Sequence, residues 1–143
     1  MTDTTAPESF DFDTLPAATH SEAGAEVPIV HPVTRKPIRA TPEAEFRIRV
    51  AGPDSAVYRG AQTRAMRRIL DRGEAGQEDD AADQSDRAAF LGEITLGWTP
   101  GAKLGGQPLE FSRETAAAFY ARYPWAADQV DRTAGDRKAF LGA

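Results

Sequence analysis

The chain has 143 residues, 41% hydrophobic and 27% charged, with no cysteine and a formal net charge of -5, which allows one modest core and excludes disulfide frameworks, thiolate metal sites and cysteine nucleophiles. Mean hydropathy is -0.49 and no run approaches the ~18 apolar residues of a membrane-spanning helix, so no membrane role is expected. The first residues, MTDTTAPESFDFD, carry acids where a signal peptide carries Lys or Arg, and the expected location is the cytoplasm in which the chain is made.

Charge is segregated along the sequence. Residues 1–26 hold Asp3, Glu8, Asp11, Asp13, Glu22 and Glu26 and no base; with little apolar surface to offset ordering entropy, they read as a disordered acidic tail. Within it, Phe10-Asp11-Phe12-Asp13 has the form of a short linear motif, although such pairs in acidic tails usually do nothing detectable. Order is expected from Val27, with residues 27–143 forming a single small α+β domain. Val27, Ile29 and Val30 beside Pro28 and Pro32 suit a short edge strand, and His31 to Pro37 reads as a turn.

From Ala44 to Ala51, Phe46, Ile48 and Val50 alternate with Glu45, Arg47 and Arg49, the clearest strand in the chain, expected to pair with the first as a small hairpin. Gly52-Pro53-Asp54-Ser55 then offers Asp54 or Ser55 as N-cap of a helix over Ala56 to Arg72, closed by Gly73. Tyr58, Ala61, Ala65, Met66, Ile69 and Leu70 form its apolar stripe, expected to pack, while the other face bristles with arginines that keep an exposed helix soluble or pair with the nearby acidic linker. Glu74, Glu78, Asp79, Asp80, Asp83 and Asp86 mark a flexible acidic linker near 74–86.

Phe90, Leu91, Ile94 and Trp98 recur at helical spacing after a cap at Ser85, and Pro100-Gly101 stops that helix. Gly105, Gly106 and Pro108 mark a loop. Ser112 caps a third helix with Glu114 in its first turn. Tyr123-Pro124-Trp125 should be a sharp corner opening a last helix from Trp125 to Phe140, with Gly135 as its weak point. About four short helices are therefore expected.

No constellation for catalysis or metal binding emerges. His20 and His31 lie in the tail and a turn and read as exposed bystanders. The acids from Glu78 to Asp86 lack an EF-hand pattern. Ser55 has no histidine in an ordered region to activate it, and Gly101 to Gly106 lacks the Lys-Ser/Thr ending of a phosphate loop. Glu110 and Glu114 sit near a helix start that lowers a carboxyl pKa, the wrong direction for an acid catalyst. No enzyme activity and no cofactor are expected. Arg64, Arg67, Arg68 and Arg72 make a candidate basic surface, but the net negative charge, flanking acids and sparse aromatics argue against nucleic acid.

Val30-His31-Pro32-Val33-Thr34 through Val50-Ala51-Gly52-Pro53-Asp54-Ser55 forms one group of short words. Gly97-Trp98, Phe111-Ser112-Arg113-Glu114, Tyr120-Ala121-Arg122-Tyr123-Pro124-Trp125, Gln129-Val130 and Arg137-Lys138-Ala139-Phe140-Leu141 form another. Together, over about residues 27–141, they resemble the tail assembly chaperones of long-tailed bacteriophages and prophages. Where the turn would comfortably take glycine, this chain has Arg35, a departure that puts the tight left-handed turn in question.

The resemblance implies a non-enzymatic protein of the host cytoplasm. It would bind the tape-measure protein and deliver it to tail-tube subunits, and would not remain in the mature virion. A homo-oligomer is compatible with it; a structural head or tail component is the alternative, and a nucleic-acid-binding module comes third. Trp98, Phe111, Phe119, Tyr120, Tyr123, Trp125 and Phe140 are the candidate partner-binding or core residues, with core favoured for most because so short a chain has few other large side chains to bury.

Overall fold

The alternation of Phe46, Ile48 and Val50 with charged neighbours sets the centre of the molecule. In the computed structural model, which describes residues 9–73 and 80–141, Arg47–Val50 forms β4, the middle strand of a three-stranded sheet of order β1-β4-β5. Its antiparallel neighbours are β1 (Ala25–Pro28) and β5 (Thr95–Trp98). Val27 and Trp98 flank Ile48 across the sheet. Ile48 and Val50 are buried while Arg47 and Arg49 are exposed, the period-two signature of a sheet covered on one face. On the open face Glu26 receives Arg49 at 3.1 Å and Arg47 at 3.5 Å.

β1 and β4 pair as the alternation suggests, but not as a tight hairpin. The intervening chain turns at His31 and builds a separate ribbon, β2 (Arg39–Thr41) against β3 (Ala44–Glu45). In the turn, His31 Nδ1 accepts the backbone N–H groups of Val33 and Thr34, and the Arg35 N–H donates to the His31 carbonyl at 2.9 Å. Arg35 takes φ 63°, the only positive φ of a non-glycine among the described residues. A further ribbon, β6 (Lys103–Leu104) with β7 (Gln107–Pro108), stands where the sequence suggests only a loop.

Five α-helices accompany these strands among the described residues: α1 (Ala17–Ala23), α2 (Ala56–Arg72), α3 (Asp80–Ile94), α4 (Arg113–Arg122) and α5 (Pro124–Ala134). Caps explain the boundaries that sequence predicts well. The Ser55 hydroxyl accepts the Tyr58 N–H at 3.0 Å and Gly73 closes α2. Ser112 and Thr115 form a reciprocal capping box for α4, and Pro124 occupies the first turn of α5.

Elsewhere tertiary structure overrides local pattern. The helix expected to reach Trp98 ends at Ile94, and Ser85 lies inside it rather than at its cap. Thr95–Trp98 leaves the helix to give β4 its second neighbour, without which a two-stranded ribbon would be marginal. The last helix stops at Ala134, and a separate 3-10 turn covers Arg137–Ala139. Asp83 and Asp86, expected in a linker, are helical within α3, while residues 74–79 of that linker and residues 1–8 of the tail lie outside the described residues.

The boundary expected at Val27 also moves. α1 precedes it with Ser21 buried, because hydrogen bonds rather than apolar area secure this segment. The Gly52 N–H donates to the Ser21 carbonyl, the Asp54 N–H to the Ser21 hydroxyl, and the Ala56 N–H to Glu22 Oε2. These donors stand at or just before the start of α2, where a helix leaves N–H groups unanswered. His20, expected to be a bystander, bonds through Nδ1 to the Phe140 carbonyl at 2.8 Å. Gly24 turns α1 into β1 at φ 87°, where a Cβ would lie 2.8 Å from the Val50 carbonyl oxygen.

Candidate partner-binding surface

The last turns of α2 carry the feature that departs from the sequence pattern. Arg64, Arg68 and Arg72 recur at every fourth residue and so share one helical face. That face meets α3. Arg64 Nε donates to Glu93 Oε1 at 2.5 Å, and Arg68 Nη1 to Glu93 Oε2 at 3.3 Å. Arg68 Nε stands 3.8 Å from Asp86, and Arg72 pairs with Asp86 and, at 3.6 Å, with Asp83. Glu93 is only 12% exposed at its side chain. Arg67 projects from the helix and is exposed.

Close approach of the two helices is permitted by the small, buried Ala61, which shares the face of Arg64 and Arg68, and Tyr58 meets Phe90 edge-on at 5.2 Å. Arginine stems can line such an interface while their heads find carboxylates. Arg68 also brings a cost: its Nε and Nη2 are shielded from solvent without a hydrogen-bond acceptor. The Coulomb attraction of Glu93 and Asp86 must offset it.

Of the apolar residues expected to pack, Tyr58, Ala61 and Ala65 do so beside the arginines, whereas Met66, Ile69 and Leu70 are left outside. Met66 is 57% exposed, Ile69 49% and Leu70 69%. Their spacing of three and four residues places them together on the last turns of α2, and Gln62, Thr63 and Arg67, all exposed, border them on the helix. This strip is apolar at its centre with a cation at its rim. Chemically it suits an apolar ridge on another protein whose flanks carry acids.

The aromatic candidates lie elsewhere. Phe119 is the hub of an internal cluster, with ring centroids 5.7 Å from Trp98, 6.2 Å from Phe46, 5.6 Å from Tyr120 and 5.5 Å from Tyr123. Trp98, partly buried, donates its indole N–H to the Leu109 carbonyl at 3.1 Å. Phe111 caps the cluster by meeting Trp98 at 5.2 Å and keeps 38% of its surface in water. Trp125 is partly buried beside Tyr123, and Phe140 is buried at the C-terminal turn.

Tyr120 is buried, with its hydroxyl 2.8 Å from Thr95 Oγ1, which in turn reaches the Leu91 carbonyl at 2.7 Å. Burial pushes its phenol well above the ordinary value. Packing, not partner contact, accounts for most of these side chains; the sequence could have exposed the alternative at α2 through one signal, the match of Arg64, Arg68 and Arg72 with Asp83, Asp86 and Glu93.

Among the described residues no cluster of His, Cys, Asp or Glu could hold a metal ion, and no helix is long and apolar enough to cross a membrane. Comparison with protein-family models, curated proteins and solved structures finds no match for this chain.

Proposed function

We propose that the chain is a tail assembly chaperone of a long-tailed bacteriophage, a non-enzymatic protein that binds the tape-measure protein in the host cytoplasm and leaves before the virion is complete. The observation that supports this reading best is the outer strip of α2. Met66, Ile69 and Leu70 are exposed on a helix already anchored through its other face. A long helical protein awaiting its tube would aggregate through its own apolar stripe, and a helper with an exposed apolar strip on a charged body can cover part of it. The resemblance of its short words to those of tail assembly chaperones supports the same reading. Carboxylate pairing of Arg64, Arg68 and Arg72 leaves those cations poorly placed to neutralise phosphates.

Co-expression tests the proposal. Tape-measure protein should become soluble and co-purify with the full chain, and should aggregate again with a Met66→Glu, Leu70→Glu variant that still folds. Failure of the full chain to raise tape-measure solubility would overturn the reading. Stoichiometric amounts of the chain in purified virions, measured by mass spectrometry, would favour a structural component instead.

A further inference from the structure

A second surface lies on the opposite side of the sequence pattern, at the turn where glycine would be the cheaper residue. Arg35 holds φ 63°, a conformation that strains a non-glycine side chain and recurs where a side chain is needed for binding. It lines a cleft of about 410 Å³ together with Arg132, Trp125, Pro28 and Pro32. Both Arg35 and Arg132 are exposed, and neither guanidinium has a carboxylate partner among the described residues. The one acid in the cleft, Asp128, is engaged by Arg87 at 2.7 Å. The wall is fixed: the Gln129 carboxamide accepts the Val30 N–H and donates to the Val30 carbonyl, both at 2.9 Å. Strand addition at Val30 is thereby blocked, so an occupant must be recognised by its side chains.

Two cations lining one cleft with an indole and two prolines select a carboxylate next to an aromatic ring. The chain itself displays that chemistry. Phe10 and Phe12 are 57% and 79% exposed, meet edge-on at 5.0 Å, and alternate with Asp11 and Asp13. This segment lines no part of the cleft in its own chain. We propose that the cleft at Arg35, Arg132 and Trp125 is an acidic-peptide site, and that its occupant is the Phe10–Asp13 segment of a second copy. The contact does not rest on the chaperone reading, which concerns a different surface, the outer strip of α2.

Sedimentation velocity of the full chain over a concentration series tests it. Self-association is expected, weakening as salt rises. Arg35→Gly is the informative variant, because glycine relieves the positive φ: it should hold or raise the thermal midpoint while weakening association about tenfold or more. Arg132→Ala and the pair Phe10→Ala, Phe12→Ala should act in the same direction. A chain with Arg35→Asp and Arg132→Asp should associate again when mixed with one carrying Asp11→Arg and Asp13→Arg. A peptide of residues 9–15 should dissolve the assembly. A chain that stays monomeric, association that survives Arg35→Gly with Arg132→Ala, failure of the charge swap, or loss only on Met66→Glu with Leu70→Glu would each overturn the proposal.

Discussion

Replacing Glu93 by Ala and Leu70 by Ala separates two accounts of what holds α2 in place. On the amphipathic account Leu70 belongs to the packed face and its truncation costs about 2–5 kcal/mol, whereas Glu93 is a replaceable surface acid. The structure reverses the ranking. Leu70 is 69% exposed, and alanine is the better helix former by a few tenths of a kcal/mol, so Leu70→Ala should change stability by no more than about 0.5 kcal/mol. Glu93 accepts from both Arg64 and Arg68. The Arg64 bond, half exposed on the arginine side, contributes about 0.5 kcal/mol. The Arg68 bond contributes about 2 kcal/mol, because its loss leaves a shielded guanidinium with Asp86 alone. Together they set the expected cost of Glu93→Ala at about 2–3 kcal/mol. Urea unfolding of the two variants against the parent gives both numbers. A cost above 2 kcal/mol for Leu70→Ala beside less than about 0.5 kcal/mol for Glu93→Ala would refute the inverted packing of α2.

Two further predictions use ionisable groups. Tyr120→Phe removes the hydroxyl bonded to Thr95, which keeps its bond to Leu91, and should cost about 1 kcal/mol at neutral pH. Burial raises the Tyr120 phenol above its ordinary value, so its stabilising effect is full below about pH 10 and declines above it as the unfolded chain ionises first; stability curves from pH 8 to 11 should be flatter for the phenylalanine variant. Arg137 donates to both Asp54 oxygens, at 2.8 and 3.0 Å, and this bonding lowers the Asp54 pKa. A depressed carboxylate stabilises above its unfolded pKa and ceases to do so as pH falls through the folded one. Arg137→Gln should therefore be less stable than the parent at pH 6, with the difference closing below about pH 4 in the same unfolding assay.

What the sequence disclosed follows from the range of the interactions involved. α2, α4 and the start of α5 could be placed because their signals are local: Ser55 and Ser112 at N-caps, Gly73 at a C-cap, Pro124 in a first turn. β4 could be placed because its alternation is strict. Trp98 misled because Leu91, Ile94 and Trp98 fit one helical stripe, whereas the need of Ile48 for a neighbour on its second side is invisible along the chain. α1 was hidden for a related reason. Its order depends on N–H groups near Ala56, far away in sequence, and composition cannot register them. The candidate surface failed to appear because helical periodicity reports which residues share a face but not which face is inside. That decision needed α3, whose Asp83, Asp86 and Glu93 answer the arginines.

The orientation of α2 separates folding from capture. An ordinary amphipathic helix that offers its apolar stripe to a partner must first give up the contacts that stabilise it. Here α2 is fixed by ion pairs and by Tyr58 on Phe90, so its apolar strip can engage and release without dismantling the domain. Salt should then drive the two faces in opposite directions. Raising ionic strength screens the partly exposed ladder and lowers stability, while apolar contact at Met66, Ile69 and Leu70 is left intact or strengthened. At 1 M salt, where the Debye length is about 3 Å, the parent should lose part of the stability advantage it holds over Glu93→Ala at low salt. Its co-purification with the proposed tape-measure partner should persist under the same conditions. If capture instead falls steeply with salt while stability is unchanged, the Arg67 charge at the rim, not the apolar strip, carries the contact.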